Sequence, residues 1–141
     1  MNLVLDSNII IKLVITEPGS EEVRKFILES LEKGASMYSV DIALAEGLNA
    51  LWKHVSIHRD LKVEDAESAT EDLAKIYGKL NIVATGEVSR EALKLSLTHN
   101  ITVYDTLYIA AARKLKATLY TADSKLYRVA RKLSSSKLLE T

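Results

Sequence analysis

Apolar positions in this chain fall into two kinds of run, and their alternation predicts the fold. Short continuous runs read as buried strands at residues 3–5, 35–40, 82–84, 117–120 and 138–139. Between them apolar residues recur at helical spacing. A helix begins near Ile9 behind the cap Asp6-Ser7-Asn8 and breaks at Pro18-Gly19. Ser20 opens the next, with Glu21 and Glu22 at its positive end, Val23, Phe26, Ile27 and Leu31 along one face, and Gly34 closing it. Asp41 caps a third helix carrying Ile42, Leu44, Ala45, Leu48, Leu51 and Trp52. Residues 62–80 form a fourth, with Val63, Ala66, Ala69, Leu73 and Ile76 on its apolar side. Residues 88–97 are helical. Asp105 opens the apolar helix 107–115 after an extended run, and Asp123 opens a last helix through Leu133. Short apolar strands separated by helices predict an α/β three-layer sandwich, a short central parallel sheet flanked by helices, as a single domain over residues 1–141. Its working site should lie beyond the carboxyl ends of the strands. The pattern leaves the strand order open.

Most of the 19 acids sit on polar helix faces, but Asp6, Glu46, Asp105 and Asp123 do not. Asp6 closes an apolar strand, and Asp123 follows Thr118-Leu119-Tyr120-Thr121-Ala122. Glu46 lies inside Leu44-Ala45-Glu46-Gly47-Leu48, and Asp105 precedes Leu107-Tyr108-Ile109-Ala110-Ala111-Ala112. A carboxylate among apolar neighbours is costly unless it is paired, hydrogen-bonded or bound to metal. Taken singly, the three Asp residues also read as helix N-caps, each contributing about 1 kcal/mol. Glu46 shares a stripe with Asn49 and Lys53 and also reads as a solvated helix position. Taken together they converge. Parallel strands put Asp6 and Asp123 on one edge, Asp105 joins that rim from a helix start, and Glu46 reaches it from the first turns of its helix. Oxygen donors with few nitrogens suit Mg²⁺ or Mn²⁺ rather than zinc or copper.

Four stretches in this order resemble the PIN-domain family, and more narrowly its VapC-type toxins of toxin–antitoxin systems. They are Leu-Asp-Ser-Asn at residues 5–8, Ala-Glu-Gly-Leu-Asn-Ala at 45–50, Tyr-Asp-Thr-Leu-Tyr-Ile-Ala-Ala-Ala at 104–112 and Leu-Tyr-Thr-Ala-Asp-Ser-Lys-Leu at 119–126. The resemblance spans nearly the whole chain, although residues 53–93 carry no family mark beyond helicity. It implies a PIN-like fold and a metal-dependent endoribonuclease that cuts structured RNA of the tRNA or ribosomal class. It also implies that Asp6, Glu46, Asp105 and Asp123 form the catalytic, metal-binding set, with Mg²⁺ or Mn²⁺ as cofactor. Asp6 and Asp105 are the expected primary ligands, with Glu46 and Asp123 binding partly through water. Ser7, Asn8, Thr121 and Ser124 flank the carboxylates and are candidate supporting residues, equally readable as caps or turns. The implied partners are a VapB-type antitoxin and a second copy of the chain. An antitoxin Arg or Lys placed among the carboxylates would neutralise them. Some of the apolar residues of the early helices, Ile10, Leu13, Val14, Phe26, Ile27 and Trp52, would supply a groove or a dimer face, although each taken singly reads first as core. Two other readings stand beside this one. A PIN-like module that binds RNA or protein without cleaving has no need of all four acids. A receiver-like domain phosphorylated on Asp6 lacks both the Asp-x-Asp pattern and a suitably placed Lys.

Charge changes the picture in one respect. The 19 basic and 19 acidic residues cancel, which argues against a broad polyanion binder. Yet residues 113–141 hold eight bases and two acids, a balance of +6, and residues 60–91 hold eight acids and four bases, a balance of −4. Lys125 and Arg128, just after Asp123, are the best placed to meet RNA phosphate, although a basic stripe is also an ordinary solvated face. Trp52, Tyr104 and Tyr108 all read as core before base-stacking, and of the three Tyr104, beside Asp105, is the best aromatic candidate for RNA contact. His54 and His58 have chelating i, i+4 spacing but no third nitrogen or sulfur ligand, so a solvated pair is expected. The absence of cysteine excludes a disulfide framework and thiolate zinc sites. No apolar run approaches the ~20 residues that span a bilayer, and the start lacks the basic segment of a leader. These features predict a soluble, cytoplasmic protein.

Overall fold

In the computed structural model, which describes residues 1–139, most strands feed a pair of helices. β1 (Asn2–Leu5) leads into α1 (Ser7–Val14) and α2 (Ser20–Glu32), and β2 (Ser36–Val40) into α3 (Ile42–Ser56) and α4 (Val63–Lys79). β3 (Asn81–Val83) leads into α5 (Thr85–His99) and α6 (Val103–Leu115), and β4 (Thr118–Thr121) into α7 (Ser124–Ala130) and then β5 (Ser136–Leu138). Helices cover the sheet, giving the three-layer α/β sandwich expected from the sequence.

All five strands are parallel, in the order β3-β2-β1-β4-β5. The chain steps outward from β1 to β3, then crosses to the other side of β1 to lay down β4. The order therefore reverses between β1 and β4. At such a reversal the connections diverge and leave a crevice beyond the strand ends, where open α/β sheets bind ligands. Central strands of this kind are buried on both faces, which is why Leu3, Val4 and Leu5 form an unbroken apolar run, each at most 1% exposed. α6 packs across β1, β2 and β4, and its residues from Thr106 to Ala112 are all buried. Three successive alanines on α6 let it lie close to the sheet.

Several boundaries differ from the sequence expectation, each for a capping reason. α6 starts at Val103 because Thr102 is its N-cap and accepts the Asp105 N–H at 3.3 Å. Asp105 thus sits in the first turn rather than at the cap. α5 starts at Thr85, three residues before Val88, because the Glu87 carboxylate accepts the Ala84 N–H at 2.7 Å and closes that turn. Asp41 makes no side-chain cap to α3. Its oxygens accept the Thr85 N–H at 2.9 Å and the Thr85 hydroxyl at 2.6 Å, so it caps α5 from the neighbouring strand end. α7 stops at Ala130, whose carbonyl takes turn hydrogen bonds from Leu133 and Ser134 on the way to β5. Trp52 is 54% exposed rather than part of the core. α4 packs on the backbone of α3 at Gly47, where an added Cβ would stand 2.9 Å from Leu73 Cδ2.

Candidate active site

The reversal crevice is built by two strand ends that hold each other. Register pairs Leu5 with Tyr120, so the next residues, Asp6 and Thr121, lie side by side. Asp6 caps α1 by accepting the Ile9 N–H on Oδ1 at 3.1 Å, and its Oδ2 accepts the Thr121 hydroxyl. The same Thr121 oxygen accepts the Asp123 N–H at 3.0 Å. Asp123 in turn caps α7, its Oδ1 accepting the N–H groups of Lys125 at 2.9 Å and Leu126 at 3.3 Å. Asn8 Oδ1 closes the loop by accepting the Ala122 N–H at 2.9 Å. The cap roles of Asp6 and Asp123 are therefore real. They occupy part of each carboxylate and orient the rest.

Glu46 and Asp105 approach from the helices. Glu46 is half-buried in the second turn of α3, and its Oε1 accepts the hydroxyl of the buried Tyr108 at 2.5 Å. Ser7 stands beside Glu46 and Tyr108, near enough to bear on both groups. Asp105 is half-buried in the first turn of α6. Sequence reasoning placed Tyr108 in the core and missed its hold on Glu46. The spacing Asp105 to Tyr108, one helical turn, was the available signal.

The four acids form one electrostatic neighbourhood. Burial pushes Asp6 up to about 7, against hydrogen bonds from Thr121 and Ile9, and the charge of Asp123 adds to the rise. Burial also raises Glu46, opposed by Tyr108 and Ser7 and reinforced by Asp105. Asp105 rises through burial and the charge of Asp123, with Thr102 and Lys125 pulling the other way. Charge coupling thus links Asp6 to Asp123, Asp123 to Asp105 and Asp105 to Glu46. Among the described residues none of the four belongs to an ion pair. No three His, Cys, Asp or Glu among the described residues stand close enough to close on one ion as they are. The acids share a rim rather than a finished coordination shell. In kind the set fits a hard divalent cation: oxygen donors, mutually repelling, without a counterion of their own.

Other sequence candidates distribute unevenly. Lys125 lies near enough to Asp105 to act on its charge, Arg128 is exposed one turn further along α7, and Ser124 is exposed at that helix's first position. Tyr104 is 58% exposed. It lines a cleft of about 480 Å³ with Ser7, Glu46, Asn49 and Lys53. The basic C-terminal third does not form one RNA face. Arg113 pairs with Glu91 at 2.6 Å, Lys114 stands 3.9 Å from Glu87, and Lys137 covers the Phe26 ring at 4.2 Å. A larger cleft of about 840 Å³ between α5 and α6 holds the Arg113–Glu91 and Lys114–Glu87 pairs, and none of the four carboxylates lines it. His54 is not a chelator with His58: its ring nitrogens face Glu17 at 3.0 Å and Asp60 at 2.7 Å.

Comparison with known proteins adds to this geometry. The chain matches the PIN domain family over residues 3–132. It is 35% identical over 127 residues to Ribonuclease VapC3 of Pyrobaculum aerophilum, covering 89% of this chain and 92% of that protein. Among solved structures, VapBC2 of Rickettsia felis bound to a DNA fragment from its promoter aligns with a TM-score of 0.67 at 20% identity, over 99% of this chain and 100% of that one. VapC20 of Mycobacterium tuberculosis, a sarcin-ricin-loop-cleaving toxin, aligns with a TM-score of 0.67 at 14% identity, over 89% and 93%. Those two structures speak for the fold, while the family match and VapC3 speak for descent. The chain belongs to the PIN-domain family, among its VapC-type members.

Proposed function

We propose that this protein is a metal-dependent endoribonuclease, the toxin of a VapBC-type pair, cutting structured RNA at Asp6, Glu46, Asp105 and Asp123. The observation that carries the reading is four carboxylates at the sheet's reversal point that act on one another's charge and, among the described residues, enter no ion pair, one of them fully buried. Similarity to VapC3, named a ribonuclease, supports the same chemistry. Bound Mg²⁺ or Mn²⁺ would polarise the phosphodiester and ease ionisation of the attacking water. The chain's own part is preorganisation. Asp6 is fixed through both oxygens, Asp123 through two N–H groups and Glu46 through Tyr108, so little reordering is needed when the ligand arrives. Lys125 supplies a cation beside Asp105 for the RNA phosphate, and Arg128 extends that charge along α7.

The partner is a VapB-type antitoxin, as in the VapBC2 complex. A basic side chain from it would satisfy the carboxylates in place of metal. Exposed Leu28 and Leu31 on α2, and Leu93 and Leu97 on α5, supply apolar surface for that partner and for a homodimer. The test is incubation of purified protein with tRNA and ribosomal RNA in Mg²⁺, Mn²⁺ or EDTA. Cleavage in metal and none in EDTA is expected. Cleavage that persists in EDTA removes the metal requirement, and no cleavage under any condition removes the nuclease.

A further inference from the structure

A polymer cut at the carboxylate rim must leave it in two directions. One is marked by Lys125 and Arg128 on α7; the other is open. The cleft between α3 and the start of α6 begins at Glu46 and runs outward past Asn49 to Lys53, three and seven residues along one helix face, with the Tyr104 ring as its opposite wall. Its volume of about 480 Å³ lies within the range of small-ligand sites, roughly 300–1,000 Å³. Lys53 is exposed and enters no ion pair among the described residues, unlike Arg113 and Lys114. Tyr104 exposes a ring one residue from Asp105, where it fills no core.

We infer that this cleft is the subsite for the nucleotide next to the scissile bond, with the Tyr104 ring stacking on its base and the Lys53 ammonium pairing with the following phosphate. The inference rests on the nuclease reading above and adds the path of the strand. A flat exposed ring beside a lone cation is the combination that binds single-stranded nucleic acid with little sequence preference. Glu46 at the inner end keeps the subsite continuous with the rim, and the cation stands at the outer end, where repulsion between phosphate and carboxylates is least.

The test measures anisotropy of a fluorescein-labelled, mixed-sequence single-stranded RNA in Mn²⁺, in the Asp105→Asn background so that the RNA stays whole. Tyr104→Ala should weaken binding by roughly tenfold, and Tyr104→Phe should restore it because the ring suffices. Lys53→Ala should weaken binding and lower the slope of log affinity against log salt by about 0.7, one phosphate contact on a single strand. Made in the wild-type chain, with Asp105 intact, neither substitution should change Mn²⁺ affinity, which separates lost RNA contact from a damaged metal site. Unchanged binding and slope in both variants would overturn the subsite while leaving the nuclease reading intact. Failure of the parent protein to bind this RNA would overturn the subsite, and absence of tRNA or ribosomal RNA cleavage by the wild-type protein in metal would overturn the nuclease reading with it. Unchanged RNA binding together with lost capture of the protein encoded beside this gene would assign the cleft to that protein and overturn the inference.

Discussion

Two groups of carboxylates in this fold are treated in opposite ways. Glu17 and Asp60, on the α1–α2 and α3–α4 connections, have cationic or imidazole partners: Lys12 at 3.0 Å and the two ring nitrogens of His54. His54 holds Asp60 below the ordinary carboxylate range. At the sheet edge the direction reverses. Asp6, Glu46 and Asp105 are all raised, chiefly by burial and further by a neighbouring carboxylate, Asp123 for Asp6 and Asp105 and Asp105 for Glu46, and among the described residues none of them belongs to an ion pair. Carboxylates used to tie loops together carry their counterions with them. Those at the reversal point are held by neutral hydrogen bonds, from Thr121, Tyr108 and backbone N–H groups, which orient the oxygens without neutralising them. That arrangement is costly for stability and useful only if something cationic arrives.

The contrast can be broken at either end. The largest effect belongs to Asp105→Asn, which removes a donor while relieving repulsion. RNA cleavage should fall by roughly a thousandfold or more, with the melting temperature unchanged or higher. A folded variant that retains near-normal turnover would take Asp105 out of the site. Next comes pH in the metal-free protein. With Asp6 pushed up to about 7 from 3.8, the folded state keeps a proton that the unfolded chain has released across that interval. The favourable contribution is complete below about pH 4 and is lost as pH rises through about 7, by about 4 kcal/mol at most. Denaturant midpoints in EDTA should decline over that window, and Asp6→Asn should flatten the decline. A wild-type profile as flat as that of the variant would contradict it.

Tyr108→Phe should act on the site without entering it. The ring stays buried and only the bond to Glu46 is lost, so Mn²⁺ affinity should drop by roughly ten- to a hundredfold with little change in fold. Equal affinity in calorimetry would show that Glu46 needs no such support. The smallest effect is expected at the other cluster. His54→Gln should lower the melting temperature by a few degrees while leaving cleavage and metal affinity alone. A large loss of activity there would mean that the two clusters are not independent.

Much of this was legible in local pattern. The alternation of runs predicted the layers, and Asp6 and Asp123 were marked by strand-end caps within three residues of their partners. What was not legible spans long separations. The strand order depends on which crossover passes β1, and the Tyr108–Glu46 bond joins residues 62 apart. The Asp41–Thr85 pair, 44 apart, turned an expected cap of α3 into a cap of α5. Trp52 was misplaced because helical periodicity marks an apolar face without saying what covers it. The basic C-terminal third, readable from sequence either as an RNA face or as a solvated stripe, divides in the fold because Arg113 and Lys114 face the acids of α5.

Thermal unfolding with and without Mn²⁺ joins these observations in one measurement. A cation that binds the folded carboxylates and not the unfolded chain adds about 2.7 kcal/mol when present at a hundred times its dissociation constant. The wild-type protein should therefore gain several degrees in millimolar Mn²⁺, His54→Gln should gain the same, and Asp105→Asn should gain little or nothing. No shift in the wild type, or an equal shift in Asp105→Asn, would contradict a divalent-metal site at the reversal of the sheet.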